Sequence, residues 1–384
     1  MTFQPRCYLS GMPAMIDLCK AMETIAPLAH AMEWDNVGLL VGRRDAAVSR
    51  ITLCIDLTSA VLEEAMDTGA SAIVSYHPII FDPRERVTDD EPDGTLLLAV
   101  IEAGIAVYCP HTALDAAQGG MSDWLIGAMG EGDVSPIEPA SELGGSEAVK
   151  IVTYVPRANV DAVRAAISAA GAGRIGDYTH CSAAVDSRGT FMGEAGTNPV
   201  VGEAGVLESI DETCLMMVCS EANLAAAIAA LRSAHPYEEP PVHVIPLSPR
   251  PMQDTGGGRL IRLEQPRARS QIIDDLKRHL GVTTVRVAEG IDGRQEHMVI
   301  GCCPGAGASM LTAAERAGAT LFVTGELRHH DVLAAQQRGT TVLLAGHTNT
   351  ERGYLPHLQT RLAEMLPKCD IAVSTTDVVP WRDV

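Results

Sequence analysis

AMDTGASAIVSYH, residues 65 to 77, and AAERAGATLFVTG, residues 313 to 325, share one rhythm: a helix end, a glycine and an apolar run of strand length. Glycine behind a helical-period segment is a stop signal, and the short apolar run after it reads as a buried strand. Around the first copy, ITLCID (51 to 56) predicts a strand, LTSAVLEEAMDTG (57 to 69) a helix and SAIVSY (71 to 76) a second strand. HMVIGCC (297 to 303), GASMLTAAERAG (307 to 318) and ATLFVTG (319 to 325) repeat that order. Each half then finishes with a further apolar run and H-T-x-x-acid, His111 to Asp115 and His347 to Glu351. The expected fold class is α/β, with two pseudo-repeated lobes whose strand-end loops face one crevice, the usual place for a ligand in open α/β sheets.

A different segment lies between the lobes. From about Lys150 to Leu247 the pattern reads β-α-β-β-α-β, an inserted α+β unit of ferredoxin-like type, with GTFMGEAGTNPVVGEAG as a loop. Its flanks, GEGDVSPIEPASELGGSE and SPRPMQDTGGG, are polar and rich in Gly and Pro, as linkers are. The expected division is an extension over 1 to 11, an N-terminal lobe over 12 to 146, the insert over 147 to 248 and a C-terminal lobe over 249 to 384.

Composition narrows the function classes. A chain of 384 residues with 46% apolar content has room for several filled cores. No apolar run approaches the roughly 20 residues of a membrane helix, and the opening MTFQPRCYLSGMPAM lacks the order of a signal peptide. The expectation is a cytoplasmic protein with no membrane partner. A formal charge of −20 repels a phosphate backbone, and no basic run with interleaved aromatics appears, which excludes direct nucleic-acid binding. Ten cysteines without a C-x-x-C pair read as free thiols.

The candidate chemistry sits at strand ends. In GHTNTERG, His347 closes a strand and Glu351 falls in the first turn of a helix starting near Thr348 or Asn349. Imidazole and carboxylate converging there suit a divalent cation, whereas ordinary capping would use the same letters. SYHPIIF presents His77 on an extended peptide stiffened by Pro78. Asp115 adds a carboxylate able to bridge two cations, or an N-cap. TGELRHHD brings His329 and His330 beside Glu326 and Asp331, as metal or proton carriers or as solvated helix-start residues. EWDNVGLLVG places Asp35 and Asn36 either along the cleft or in a turn. No nucleophile elbow, phosphate-loop lysine or dinucleotide fingerprint is present.

EWDNVGLLVG, SYHPIIF, HTALDAAQGGMSDWL, GRIGDYTHCS, HPYEEP, TGELRHHD and GHTNTERG, in that order, resemble the Nif-three-like family, also known as GTP cyclohydrolase 1 type 2 homologues. The resemblance runs from about Met12 onward. It implies a two-lobed α/β protomer with a dinuclear metal centre between the lobes, a toroidal homohexamer, and an insert similar to the trimeric signalling and copper-tolerance proteins. It also implies metal ligands at His77, Asp115, His347 and Glu351. Tyr76 stands where the family often has the first of two adjacent histidines, so the site is expected to hold two divalent ions, one under-coordinated, or a single ion. The metal is Zn, Fe, Mn or Co, since mixed His and carboxylate sites accept each. The expected activity is metal-dependent hydrolysis of a small, unidentified substrate, with Glu351 or His330 moving the proton; the family name points to GTP, but no residue selects guanine. The rival is a non-catalytic metal-binding scaffold or a ligand-sensing regulator.

Overall fold

The computed structural model describes residues 12–142, 147–248 and 250–381, so the expected N-terminal extension lies outside it. Two compact units divide the chain, one formed by Met1–Ala140 with Met252–Val384 and the other by Ser141–Pro251. Along the first stretch run α1 (Met15–Ile25), β1 (Gly38–Val41), β2 (Arg50–Cys54), α2 (Ser59–Asp67), β3 (Ala72–Ser75), α3 (Pro92–Ala103) and β4 (Ala106–Cys109). They are followed by α4 (His111–Ala116), α5 (Met121–Ile126), β5 (Gly132–Ser135) and β6 (Glu138–Glu142). The middle unit holds β7 (Val149–Pro156), α6 (Val160–Ala169), β8 (Ala183–Met192), β9 (Leu207–Cys219), α7 (Glu221–Ala234) and β10 (Val242–Pro246). Then come β11 (Arg250–Gly257), β12 (Arg259–Ala268), α8 (Arg269–Leu280), β13 (Arg286–Ala288), β14 (Glu296–Ala306), α9 (Ala308–Arg316) and β15 (Leu321–Glu326). The chain closes with α10 (His329–Gln337), β16 (Thr341–Leu344), α11 (Asn349–Arg352), α12 (Leu355–Met365) and β17 (Asp370–Val373).

The fold is mixed α/β. In the first unit, one sheet has the order β1-β4-β3-β2-β17 and the other β13-β16-β15-β14-β12-β5. Each holds a parallel run, β4-β3-β2-β17 in one and β16-β15-β14 in the other. Strands such as β3 (AIVS) and β4 (AVYC) are buried on both faces, which explains their unbroken apolar runs. Met15, Leu18 and Met22 of α1 and Leu358 and Leu362 of α12 cover one face of the first sheet. Val61 and Leu62 of α2 and Val100 of α3 cover the other. On the second sheet, Ile272 and Leu276 of α8 pack on one face and Met310 and Leu311 of α9 on the other.

Each sheet borrows a strand from the distant half of the sequence. β17 lies parallel to β2, with Ile371 opposite Ile51, and β5 lies antiparallel to β12, with Val134 opposite Ile261. Arg259, at the start of β12, reinforces this exchange while only 1% exposed. Its guanidinium pairs with Asp123 of α5 and donates to the carbonyls of Ala116 and Ala117 at 3.1 Å, Gly256 and Gly258 at 2.8 Å and Asp254 at 3.2 Å.

The middle unit has an antiparallel sheet of order β10-β7-β9-β8, with α6 and α7 packed around Ile151, Val163, Leu215, Met217 and Leu231. β8 extends into the stretch expected to be a loop, pairing with β9 from Ala183 opposite Met216 out to Met192 opposite Leu207. That outer hairpin is largely exposed and polar, so it lacks the apolar alternation by which strands are recognised. Among the described residues no helix is long and apolar enough to cross a membrane, and all nine cysteines are free.

Two stability predictions follow from buried charge. Arg259→Met leaves Asp123 and five carbonyls without their donor and should cost about 3 kcal/mol or more in urea unfolding; Arg259→Lys should not restore it, since an ammonium cannot reproduce the planar fork. His297 on β14 is fully buried, and burial, then the charges of Arg294 and Arg269, pull its imidazole down to about 4. The unfolded chain, with an ordinary value near 6.5, takes up the proton first as pH falls. Stability present above pH 6.5 is therefore lost towards pH 4, by on the order of 2 kcal/mol, and His297→Gln should flatten that part of the stability profile.

Candidate metal centre

Side chains from both sheets meet at the C-terminal ends of parallel strands. Tyr76 and His77 follow β3, His111 follows β4 and begins α4, and Asp115 lies one turn further along α4. From the second sheet, His347 follows β16 and Glu351 lies in α11. The His77 and His347 ring centroids are 5.5 Å apart, and those of His77 and His111 are 5.4 Å apart. Sequence-distant strand ends therefore converge within one subunit.

A carboxylate fixes each of the three imidazoles. Nδ1 of His77 lies 2.8 Å from Asp56 Oδ1, Nδ1 of His111 lies 2.8 Å from Asp35 Oδ1, and Nδ1 of His347 lies 3.1 Å from Glu326 Oε1. An ionised carboxylate only accepts, so each Nδ1 carries a proton, which sets the ring orientation. In His77 and His347 this turns Nε2 towards Glu351, at 3.6 Å from Oε2 and 3.4 Å from Oε1 respectively. His111 is held in a left-handed backbone conformation, φ +27, a strain that collects at functional positions.

Glu351 is 1% exposed, and its Oε2 has no hydrogen bond among the described residues. The ligand atoms of His77, His347 and Glu351 lie within 4.8 Å of one another. A tetrahedral ion with bonds near 2.0–2.1 Å separates its ligand atoms by about 3.3 Å, so the two imidazole-to-carboxylate gaps need little adjustment. Gly305, near the end of β14, keeps one wall bare: a Cβ there would stand 2.6 Å from Glu351 Oε1 and 3.0 Å from His347 Nε2. The donor set and the unpartnered oxygen fit a divalent cation. The Thr348 side chain makes no cap hydrogen bond to α11, while Glu351 stands in the first turn of that helix.

Asp115 joins the group through Tyr76, whose hydroxyl donates to Asp115 Oδ1 at 2.6 Å. Burial raises Asp115 to about 7 despite that bond. Burial, then the charges of Asp115 and Glu351, push Tyr76 well above its ordinary range, so the hydroxyl stays protonated and donating. Burial alone would lower His77, but its hydrogen bond to Asp56 and the close negative charge of Glu351 outweigh it and raise the imidazole to about 10. Acidic groups outnumber cationic ones here, which suits an added positive ion.

Behind these side chains runs a supporting layer. Arg352 binds the Asp377 carboxylate at 2.5 Å and lies 4.0 Å from Asp56, while Asp377 accepts the Ile55 N–H at 2.7 Å. The segment is anchored further by Glu64, which accepts from the Thr375 and Thr376 main chain at 2.9 Å and 3.3 Å.

His330 is placed elsewhere: its ring is exposed on α10 and packs against His329 at 5.5 Å. Among the described residues no hydrogen bond or ring contact joins it to the cluster. Conversely, His111 and Asp56 were not selected as site residues from the sequence. His111 opens the first H-T-x-x-acid pattern, and Asp56 ends ITLCID one strand over from His77, so both positions carried a signal.

A sequence model of the Duf34/NIF3 (NGG1p interacting factor 3) family matches residues 13–380. A "GTP cyclohydrolase 1 type 2 homolog" from Halalkalibacterium halodurans is 31% identical over 344 residues, covering 90% of this chain and 91% of that protein. Human "NIF3-like protein 1" is 31% identical over 379 residues, covering 96% and 92%. A solved Bacillus cereus protein related to NIF3 shares 29% identity and superposes with a TM-score of 0.66 over 98% of this chain and 100% of its own. Staphylococcus aureus protein SA1388, at 24% identity, has a TM-score of 0.76 over 97% and 99%.

Gly305→Ala tests the cradle. The new methyl must displace Glu351 or His347, and the left-handed φ of +61 adds strain. Zinc affinity, measured by competition with a chromophoric chelator, should fall by about tenfold or more, while the far-ultraviolet circular dichroism stays unchanged.

Proposed function

This chain belongs to the Duf34/NIF3 family, and on that premise we propose that it is a metal-dependent hydrolase of a small, nucleotide-sized substrate, holding up to two divalent cations. The observation that carries the reading is the set of three carboxylate-braced imidazoles beside a buried glutamate with one unpartnered oxygen. His77, His111, Asp115, His347 and Glu351 would hold the cations, which when bound lower the pKa of water and polarise an electrophilic oxygen. Asp56, Asp35 and Glu326 keep the rings aimed. Tyr76 holds Asp115 in one rotamer, and Glu351 accepts the proton; the exposure of His330 argues against that role for it. Zn, Fe, Mn and Co all suit this mixed donor set.

The same reading extends to the architecture. The two parallel-stranded sheets are inferred to be a pseudo-repeat, and the middle unit a ferredoxin-like insert, supported by its β-α-β-β-α-β order and sheet order β10-β7-β9-β8. A cytoplasmic homohexamer completes the proposal, and its mass is open to light scattering.

Elemental analysis and turnover test the function together. His347→Ala should lose most of the bound metal, whereas Tyr76→His should raise occupancy towards two ions per chain by adding a nitrogen ligand and freeing Asp115. Metal-loaded wild type should hydrolyse a member of a panel of GTP, phosphoesters and amides, with Asp115→Ala slower by on the order of a hundredfold or more. Metal binding without turnover on any of them would point instead to a sensing or scaffolding module.

A further inference from the structure

Two large aromatic rings stand in solvent beside the cluster. Trp34 is 61% exposed and Phe81 53% exposed, with ring centroids 5.9 Å apart and planes tilted by 46°. Trp34 also meets His111, centroid to centroid at 6.0 Å and edge-on at 75°. Isolated exposed apolar residues need no explanation, but paired rings next to a polar cluster are the usual makeup of a small-molecule site.

The backbone beneath the rings is fixed. Asp35 N–H donates to Met32 O at 2.9 Å, and Met32 N–H donates to Thr112 Oγ1 at 3.0 Å. The Asp35 carboxylate accepts from His111 Nδ1 and from the Thr112 N–H at 3.1 Å. Asn36 Nδ2 donates to Ile80 O at 2.6 Å, tying the Trp34 loop to the residue before Phe81. Asp35 thus orients a histidine of the cluster while its chain neighbour Trp34 presents a ring. Exposed rings on a pre-organised frame lose little entropy when a ligand stacks on them.

We propose that Trp34 and Phe81 form a stacking shelf for a planar heteroaromatic ring, whose polar substituent extends past His111 towards the cluster. The proposal rests on the reading of the cluster as a hydrolytic site and specifies the class of its substrate. Tilted rings at this separation offer one face for offset stacking and one edge for a T-shaped contact, the two arrangements that aromatic quadrupoles favour. Charge argues against a second copy of this chain as the occupant. Between Asp82 and Asp93 six acids stand against Arg84 and Arg86, so pairing this face with its own copy would set net like charges together.

The test is fluorescence and calorimetric titration of the full-length, metal-loaded protein with guanosine and adenosine monophosphates, and with ribose 5-phosphate as the ring-free control. Both nucleotides should bind at least tenfold tighter than ribose 5-phosphate and quench tryptophan emission. Trp34→Ala and Phe81→Ala should each weaken nucleotide binding by about 5- to 100-fold, with Trp34→Phe recovering part of it. Affinity for ribose 5-phosphate and metal content should not change in any of the three. Equal affinity for the ring-free probe, or no binding of either probe, overturns the shelf. So does a change of oligomeric mass in the alanine variants, which would make the rings an interface, or a loss of metal in them, which would make them structural support. Failure of wild type to hold metal overturns the hydrolytic reading instead, and the comparison of nucleotide with ribose 5-phosphate still reports on stacking.

Discussion

The buried guanidinium of Arg259 is the joint on which the larger unit depends. Its donors satisfy carbonyls at the end of α4, the carboxylate of α5 and the turn between β11 and β12. Burying such a charge is tolerable only because nearly every donor finds an acceptor. The helix it grips carries His111 and Asp115, and the sheet it springs from carries Glu351 and His347 at its far strand ends. A planar fork with several fixed directions can hold two sheets in register where dispersion contacts would permit sliding.

That register gives the centre its character. Neither sheet alone assembles the cluster: the first contributes His77, His111 and Asp115, the second His347 and Glu351. Two of the bracing carboxylates, Asp56 and Glu326, stand at strand ends, and the third, Asp35, is held in the loop before β1 by its bonds to His111 and Thr112. Strong local negative charge follows from that design. It raises His77, although an isolated histidine buried to the same extent would fall, whereas Asp115 rises first through its own burial.

Much of this was legible because it is local. Glycine stops, apolar runs and the repeated H-T-x-x-acid placed β2, α2, β3, β14, α9 and β15 within a few residues and singled out His77, Asp115, His347 and Glu351. Strand exchange was not legible, since nothing within DIAV or GDVS names a partner in the opposite half of the chain. Arg259 was equally hidden, because its residue type ordinarily marks the surface. The bracing acids Asp56 and Glu326 were visible as letters but not as partners, for their meaning arises only when neighbouring parallel strands align. Conversely, the proximity of His329 and His330 to acids in the sequence overstated their part, since α10 turns them to solvent.

The pairing of Asp377 with the Ile55 amide, 322 positions apart, has a temporal side. A ribosome adding about 5–20 residues per second delivers His77 and His111 on the order of tens of seconds before β17 and Asp377 leave the exit tunnel. Throughout that interval the nascent chain offers imidazoles without their full acidic counterparts, in a sheet still missing its outermost parallel strand. The first sheet is thereby closed only after residues 370–377 have been made, so completion of that sheet and of the layer behind the cluster become one late event.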